Sequence, residues 1–187
     1  MSTTVLYVIG GVAVAVVLWI IAVYNGLIKS KNRVQEGWSD IDVQLKRRYN
    51  LIPNLVETVK GYAKHEDKVL TAVTEARNKA MGQTGSPNER AGAENMLSST
   101  LKSLFAVSES YPDLKANENF AKLQDELTDT ENKIQSSRRF YNGMVRDFNT
   151  KLQVFPTNMI GKRLGFKDAD FFEAGSEEER KNVKVKF

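Results

Sequence analysis

The 187-residue chain contains no cysteine, which removes disulfide scaffolds, thiolate zinc sites, iron–sulfur clusters and thiol nucleophiles together. Its single histidine, His65, leaves no second imidazole for a metal pair or a triad; between Lys64 and Glu66 it reads as a surface residue. Proline is scarce, with four in the whole chain, so turns are few and elements long. No GxxxxGK[ST], GxGxxG or GxSxG pattern is present to cradle phosphate or present a serine. The expectation is a protein that is not an enzyme, with no cofactor and no evident small-molecule substrate.

Charge is missing from one end. Met1 to Ile28 carries no Asp, Glu, Lys, Arg or His, so all 27 basic and 23 acidic residues lie beyond it. Val5 to Val23 reads VLYVIGGVAVAVVLWIIAV. At about 1.5 Å per helical residue this covers the roughly 30 Å hydrocarbon core of a bilayer, where only a helix satisfies its own backbone. Residues 5–28 are expected to form a transmembrane anchor behind a short outside tail, 1–4. Tyr7, Trp19 and Tyr24 flank it as interfacial rings, and Lys29, Lys31 and Arg33 follow as partners for lipid headgroups. With Lys46, Arg47 and Arg48 close behind, the positive-inside bias puts the N-terminus outside and the body in the cytoplasm. A cleaved signal peptide fits less well, because it has a positive n-region, a shorter apolar run and a small-x-small cleavage site.

The body, 29–155, reads as an all-α, antiparallel up-and-down bundle, with approximate helices at 29–50, 53–81, 87–111 and 117–155. Gly82-Gln83-Thr84-Gly85 makes a turn, and Ser86-Pro87-Asn88-Glu89 supplies an N-cap, a first-turn proline and a capping box. Tyr111-Pro112-Asp113 makes a second turn, with Asn117 as the next N-cap. Apolar stripes at helical spacing comprise Val34, Trp38, Ile41, Leu45 and Ile52; then Val56, Val59, Ala63, Leu70, Val73 and Ala76; then Met96, Leu97, Leu101, Leu104 and Tyr111. In the last helix Phe120, Leu127, Ile134, Tyr141, Phe148 and Phe155 recur every seventh residue in a coiled-coil-like seam, with Thr130 and Ser137 as small polar gaps. Pro53 leaves two topologies open. A turn there gives four helices and is preferred, whereas a kink gives one very long first helix in a three-helix arrangement. Residues 156–187 form an extension whose short apolar pieces, Phe171-Phe172 among them, are expected to fold back. Glu177 to Lys181 reads as solvated, and Val183, Val185 and Phe187 alternate with lysines as a candidate partner-pairing strand.

The block Glu36-Gly37-Trp38-Ser39-Asp40-Ile41-Asp42-Val43-Gln44-Leu45-Lys46-Arg47-Arg48-Tyr49-Asn50-Leu51-Ile52-Pro53-Asn54-Leu55-Val56 resembles the signature of the LemA family. Tyr111 to Phe120, Glu131-Asn132-Lys133-Ile134 and Arg138-Arg139-Phe140-Tyr141-Asn142 are similar as well. The resemblance covers nearly the whole chain. It implies a bacterial inner-membrane protein with one N-terminal span and a cytoplasmic helical bundle, and it supplies no reaction. Gly37 departs from the alanine the block would carry, at a helical cost of roughly 1 kcal/mol.

Charged residues at Asp40, Asp42, Arg47, Arg48, Glu131, Arg138 and Arg139 are candidates for interhelical ion pairs, which fix which helix faces which. A di-metal carboxylate bundle needs Glu-x-x-His spacings that are absent. The net charge of +4 is spread over a mixed surface, which disfavours nucleic acid. The reading is a membrane-anchored helical scaffold or protein-interaction module, self-assembling or docking other membrane-associated proteins, with membrane lipids as further partners. Two alternatives stand beside it: a membrane-bound hydrolase using bundle carboxylates and a weakly bound metal, and a membrane-tethered nucleic-acid binder.

Overall fold

The computed structural model describes residues 2–63 and 65–173, and every regular element among them is a helix. In chain order these are α1 (Thr3–Tyr62), α2 (Asp67–Gly82), α3 (Pro87–Ser108), α4 (Pro112–Lys115), α5 (Glu118–Gln153) and α6 (Thr157–Arg163). The chain divides into two compact units. Among the described residues the first comprises those up to Asp40 together with Arg139–Ala169, and the second Ile41–Arg138 with Asp170–Glu173.

The turn preferred at Pro53 is absent. The helix runs through the proline, and the chain reverses ten residues later, between Tyr62 and Asp67. A proline inside a helix has no N–H for the carbonyl four residues back, here that of Tyr49. The structure answers that loss from another helix, since Arg77 Nε donates to the Tyr49 carbonyl at 2.7 Å. The long first helix of the alternative topology is therefore present. The second unit still gathers four long helical stretches, because the break at 63–66 replaces the one expected at Pro53. Arg77→Ala is expected to cost about 1–3 kcal/mol by orphaning that carbonyl. In a Pro53→Ala background, where residue 53 donates for itself, the cost should fall below half. Urea unfolding of the four proteins, followed by circular dichroism, gives the coupling; equal costs in both backgrounds would refute it.

The other ends follow their local chemistry. Ser86 and Glu89 close the capping box, with Ser86 N donating to Glu89 Oε2 at 2.9 Å and Glu89 N to Ser86 Oγ at 3.4 Å. Asn117 Oδ1 accepts from Phe120 N at 3.0 Å at the start of α5. In the second unit Ile41, Leu45, Ile52, Leu55 and Val59 on α1 meet Leu70 and Val73 on α2, Leu97, Leu101 and Leu104 on α3, and Phe120, Leu127 and Ile134 on α5 in one buried core. Met96 is exposed, and the core position beside it belongs to Leu97. Phe172 is fully buried in this unit, with Arg138 stacked 4.9 Å from its ring centroid, so this part of the extension does fold back.

In the first unit α1 and the end of α5 lie antiparallel, as their contacts show. Trp38 meets Tyr141 at 5.5 Å between ring centroids, Lys151 donates to Ser30 Oγ, and Leu27 lies beside Gly161 of α6. Tyr141, Phe148 and Leu152 are buried, but Phe155 is 78% exposed, because α5 ends at Gln153 before the heptad completes. Gly37 is buried against α5. A β-carbon there would meet Tyr141 Cα at 3.5 Å and the Phe140 ring at 3.6 Å, ordinary contact distances, so space does not demand the glycine.

Candidate functional site

The most unusual feature of the second unit is a charge in its core. Arg48 is 1% exposed, and burying a guanidinium is costly unless each charge is matched. Its partners come from two other helices. Nη1 donates to Glu131 Oε2 of α5 at 2.7 Å and to Ser98 Oγ of α3 at 2.8 Å, while Nη2 is bonded to the Glu94 carboxylate of α3. Ser98 Oγ in turn donates to Glu131 Oε1 at 3.1 Å, and the Tyr49 hydroxyl donates to the other oxygen of Glu94. One guanidinium thus ties α1, α3 and α5 together through two carboxylates. Burial pushes the Tyr49 phenol far above the usual tyrosine range, and the hydrogen bond to Glu94 adds to the effect.

Around this cluster lies a half-exposed rim. Asp42 accepts from Lys46 at 2.8 Å one turn on and from Arg90 of α3 at 3.0 Å. The Lys46 ammonium holds the Asp42 carboxyl below its usual range, partial burial opposes it, and Arg90 adds to the lowering. That pairing contributes stability above the unfolded carboxylate range and loses it as the pH falls through the folded value. Arg47 faces Asp129 at 3.5 Å and Glu126 at 3.9 Å on α5, but these groups are largely solvated and contribute little.

Of the residues singled out from sequence, Arg48 and Glu131 meet directly, while Asp42 and Arg47 find partners on other helices that the sequence did not name. Asp40 is exposed and makes no ion pair among the described residues. Arg138 donates to Asn95 Oδ1 at 3.1 Å and lies over the Phe172 ring, and Arg139 is exposed in the first unit. Glu94, Ser98, Arg90 and Tyr49 were missed. Glu94 had a signal, since the spacing Glu94, Leu97, Leu101, Leu104 places it on the buried stripe of α3. Among the described residues no group of three or more His, Asp or Glu side chains is placed to hold a metal.

The first unit carries the other notable surface. Side chains from Val5 to Ile21 on α1 are exposed, and none of the most apolar 18-residue window is buried against protein. Tyr7 is 78% exposed, Trp19 and Tyr24 are partly so, Lys29, Lys31 and Arg33 are exposed, and Tyr24 meets Phe166 edge-on at 6.2 Å. Val183, Val185 and Phe187, with Glu177 to Lys181, lie outside the described residues.

These observations define an all-α protein in which one apolar helix, long enough to cross a membrane, leads without a break into a bundle keyed by a buried ion cluster. The LemA family model matches residues 37–187, and the chain belongs to the LemA family. It is 28% identical over 159 residues to Protein LemA of Metamycoplasma hominis, covering 85% of this chain and 72% of that protein. It is also 23% identical over 185 residues to Magnetosome protein MamQ 2 of Paramagnetospirillum magneticum, covering 86% and 68% of the two chains. A third relative, Magnetosome protein MamQ of Magnetospirillum gryphiswaldense, is 22% identical over 184 residues, covering 85% and 68%.

Proposed function

We propose that this protein is a membrane-anchored helical scaffold: the apolar part of α1 crosses the bacterial inner membrane once, and the bundle, on the cytoplasmic side, docks other membrane-associated proteins or further copies of itself. The observation that carries the reading is the bare apolar helix. A core helix of a soluble protein buries its apolar side chains, whereas these face outward on every side of α1, and lipid is the solvent that covers such a surface. The orientation rests on Lys29, Lys31 and Arg33 directly after the span.

Membership of the LemA family and the relatives named as magnetosome proteins agree with a structural role in which no catalytic step is needed. Confinement to a membrane raises the effective concentration of partners on the same surface, so weak contacts suffice for docking. The test is native mass measurement and short-arm crosslinking of the full chain in mild detergent, with and without the residues after Pro156. Assemblies of more than one chain, or a stoichiometric second protein, are expected. Strictly monomeric, partner-free protein in both forms would overturn the proposal.

A further inference from the structure

Among the described residues, the chain after α5 carries several exposed apolar side chains. Val154, Phe155, Met159 and Leu164 are exposed, Met159 at 65%, while Thr157, Asn158, Ile160 and Phe166 are half-buried and Gly161 is buried. This segment is held in place from beneath. Gly161 approaches Leu152 and Leu27 so closely that a β-carbon there would lie 2.9 Å from Leu152 Cδ2, and Phe166 sits edge-on to both Tyr24 and Phe148. Asn149 then brackets Ala169, donating to its carbonyl at 3.0 Å and accepting from its N–H at 2.8 Å. A segment fastened by these contacts, yet showing Phe155, Met159 and Leu164 outward, is built to present them.

What covers them is indicated by what lies beside them. Trp19 and Ile20 of α1 form one wall of a groove of about 740 Å³, and Pro156, Met159, Ile160, Lys162 and Arg163 form the other. Trp19 is four residues inside Val23, the end of the apolar run, which at 1.5 Å per residue is about 6 Å below the boundary. Interfacial helices settle about 5–10 Å into the headgroup and acyl boundary, so the depths agree. The charge agrees as well: Lys162, Arg163 and Lys167 face a single acid, Asp168, between Val154 and Ala169.

We infer that the segment Val154–Phe166 is a second membrane contact, an interfacial element in which Phe155 and Met159 enter the acyl boundary beside the span while Lys162 and Arg163 bind anionic phospholipid headgroups. The inference rests on the proposed anchoring of α1 and adds to it a site with a lipid preference. Two surface cations are worth roughly a factor of five each at an anionic membrane, so removing both should lower the inserted-to-free ratio of the segment by an order of magnitude or more.

The absence of native cysteine permits a direct test on the full chain. Met159→Cys carries an environment-sensitive fluorophore, Val14→Cys provides the lipid-embedded reference, and free dye in buffer provides the aqueous one. The proteins are reconstituted into phosphatidylcholine vesicles with and without phosphatidylglycerol, floated, and quenched with doxyl-labelled lipid. The label at 159 is expected to shift blue and to be quenched. Lys162→Glu/Arg163→Glu should abolish most of that quenching in the anionic vesicles and change it little in the neutral ones. A chain that floats with its Val14 label quenched but its Met159 label water-like overturns this inference alone. An undiminished response in the charge-reversed protein overturns the headgroup site. A chain that does not float overturns the anchor, and this inference with it.

Discussion

Replacing Arg48 with alanine is expected to destabilise the bundle by about 3–5 kcal/mol, a large share of the roughly 5–15 kcal/mol that holds a domain folded. The magnitude follows from what is left behind rather than from what is removed. Glu94 is as deeply buried as Arg48, and without the guanidinium it keeps only the Tyr49 hydroxyl, while Ser98 and Glu131 lose the group that orients them. Replacing both charges should therefore hurt less than replacing one. Arg48→Met/Glu94→Leu is expected to recover most of the loss, because well-packed apolar groups often match a buried pair in stability. Denaturant titrations of the two single variants and the double measure the coupling. Additive losses would mean that α1 and α3 are not joined through this pair. Tyr49 adds an alkaline arm. Its folded phenol holds its proton more tightly than an unfolded one, so its contribution is complete below about pH 10, the unfolded value, and is lost as the pH rises above it. Tyr49→Phe should flatten the decline of stability above pH 10 while costing about 1–2 kcal/mol at neutrality.

The parts of this molecule written in local pattern were legible from the sequence. The apolar run from Val5, the capping box at Ser86 and Glu89, the Asn117 cap and the seam through Phe120, Leu127, Ile134 and Tyr141 each depend on residues within a turn or two of each other. Pro53 was misread because its lost hydrogen bond is made good by Arg77, 24 residues on, and no local rule reports a donor arriving from another helix. The ion cluster was half legible for the same reason. Arg48 and Glu131 could be listed as candidates, but the identity of their partners is a property of how α1, α3 and α5 pack. Glu94 was recoverable from its place on the α3 stripe, where an acid among leucines demands a buried cation. Phe155 shows the opposite error, a heptad extended past the residue at which the helix stops.

Val14→Asp/Val17→Asp is expected to release the chain from the membrane and leave its bundle folded. The apolar run holds twelve Val, Leu and Ile residues between Val5 and Val23, each favouring mid-bilayer by roughly 0.3–0.6 kcal/mol, so the whole favours insertion by about 4–7 kcal/mol before its glycines and flanks are counted. One aspartate near the centre costs about 3 kcal/mol, which the run tolerates; two cost about 6 kcal/mol and also remove two valines, leaving about 3–6 kcal/mol in favour, which no longer outweighs the cost. The body should be indifferent, because none of the most apolar 18-residue window is buried against protein, and the contacts of Tyr24 and Leu27 are made by residues that the substitutions leave in place. Val43→Asp, an equal change at an exposed position of the second unit, is the control and should leave the protein in the membrane. Carbonate washing followed by flotation separates the three proteins. The single Val14→Asp variant should remain largely bound, the double variant should be found in the soluble fraction with the helical content of its bundle unchanged, and a double variant that still floats would show that the apolar part of α1 is not what holds the protein to lipid.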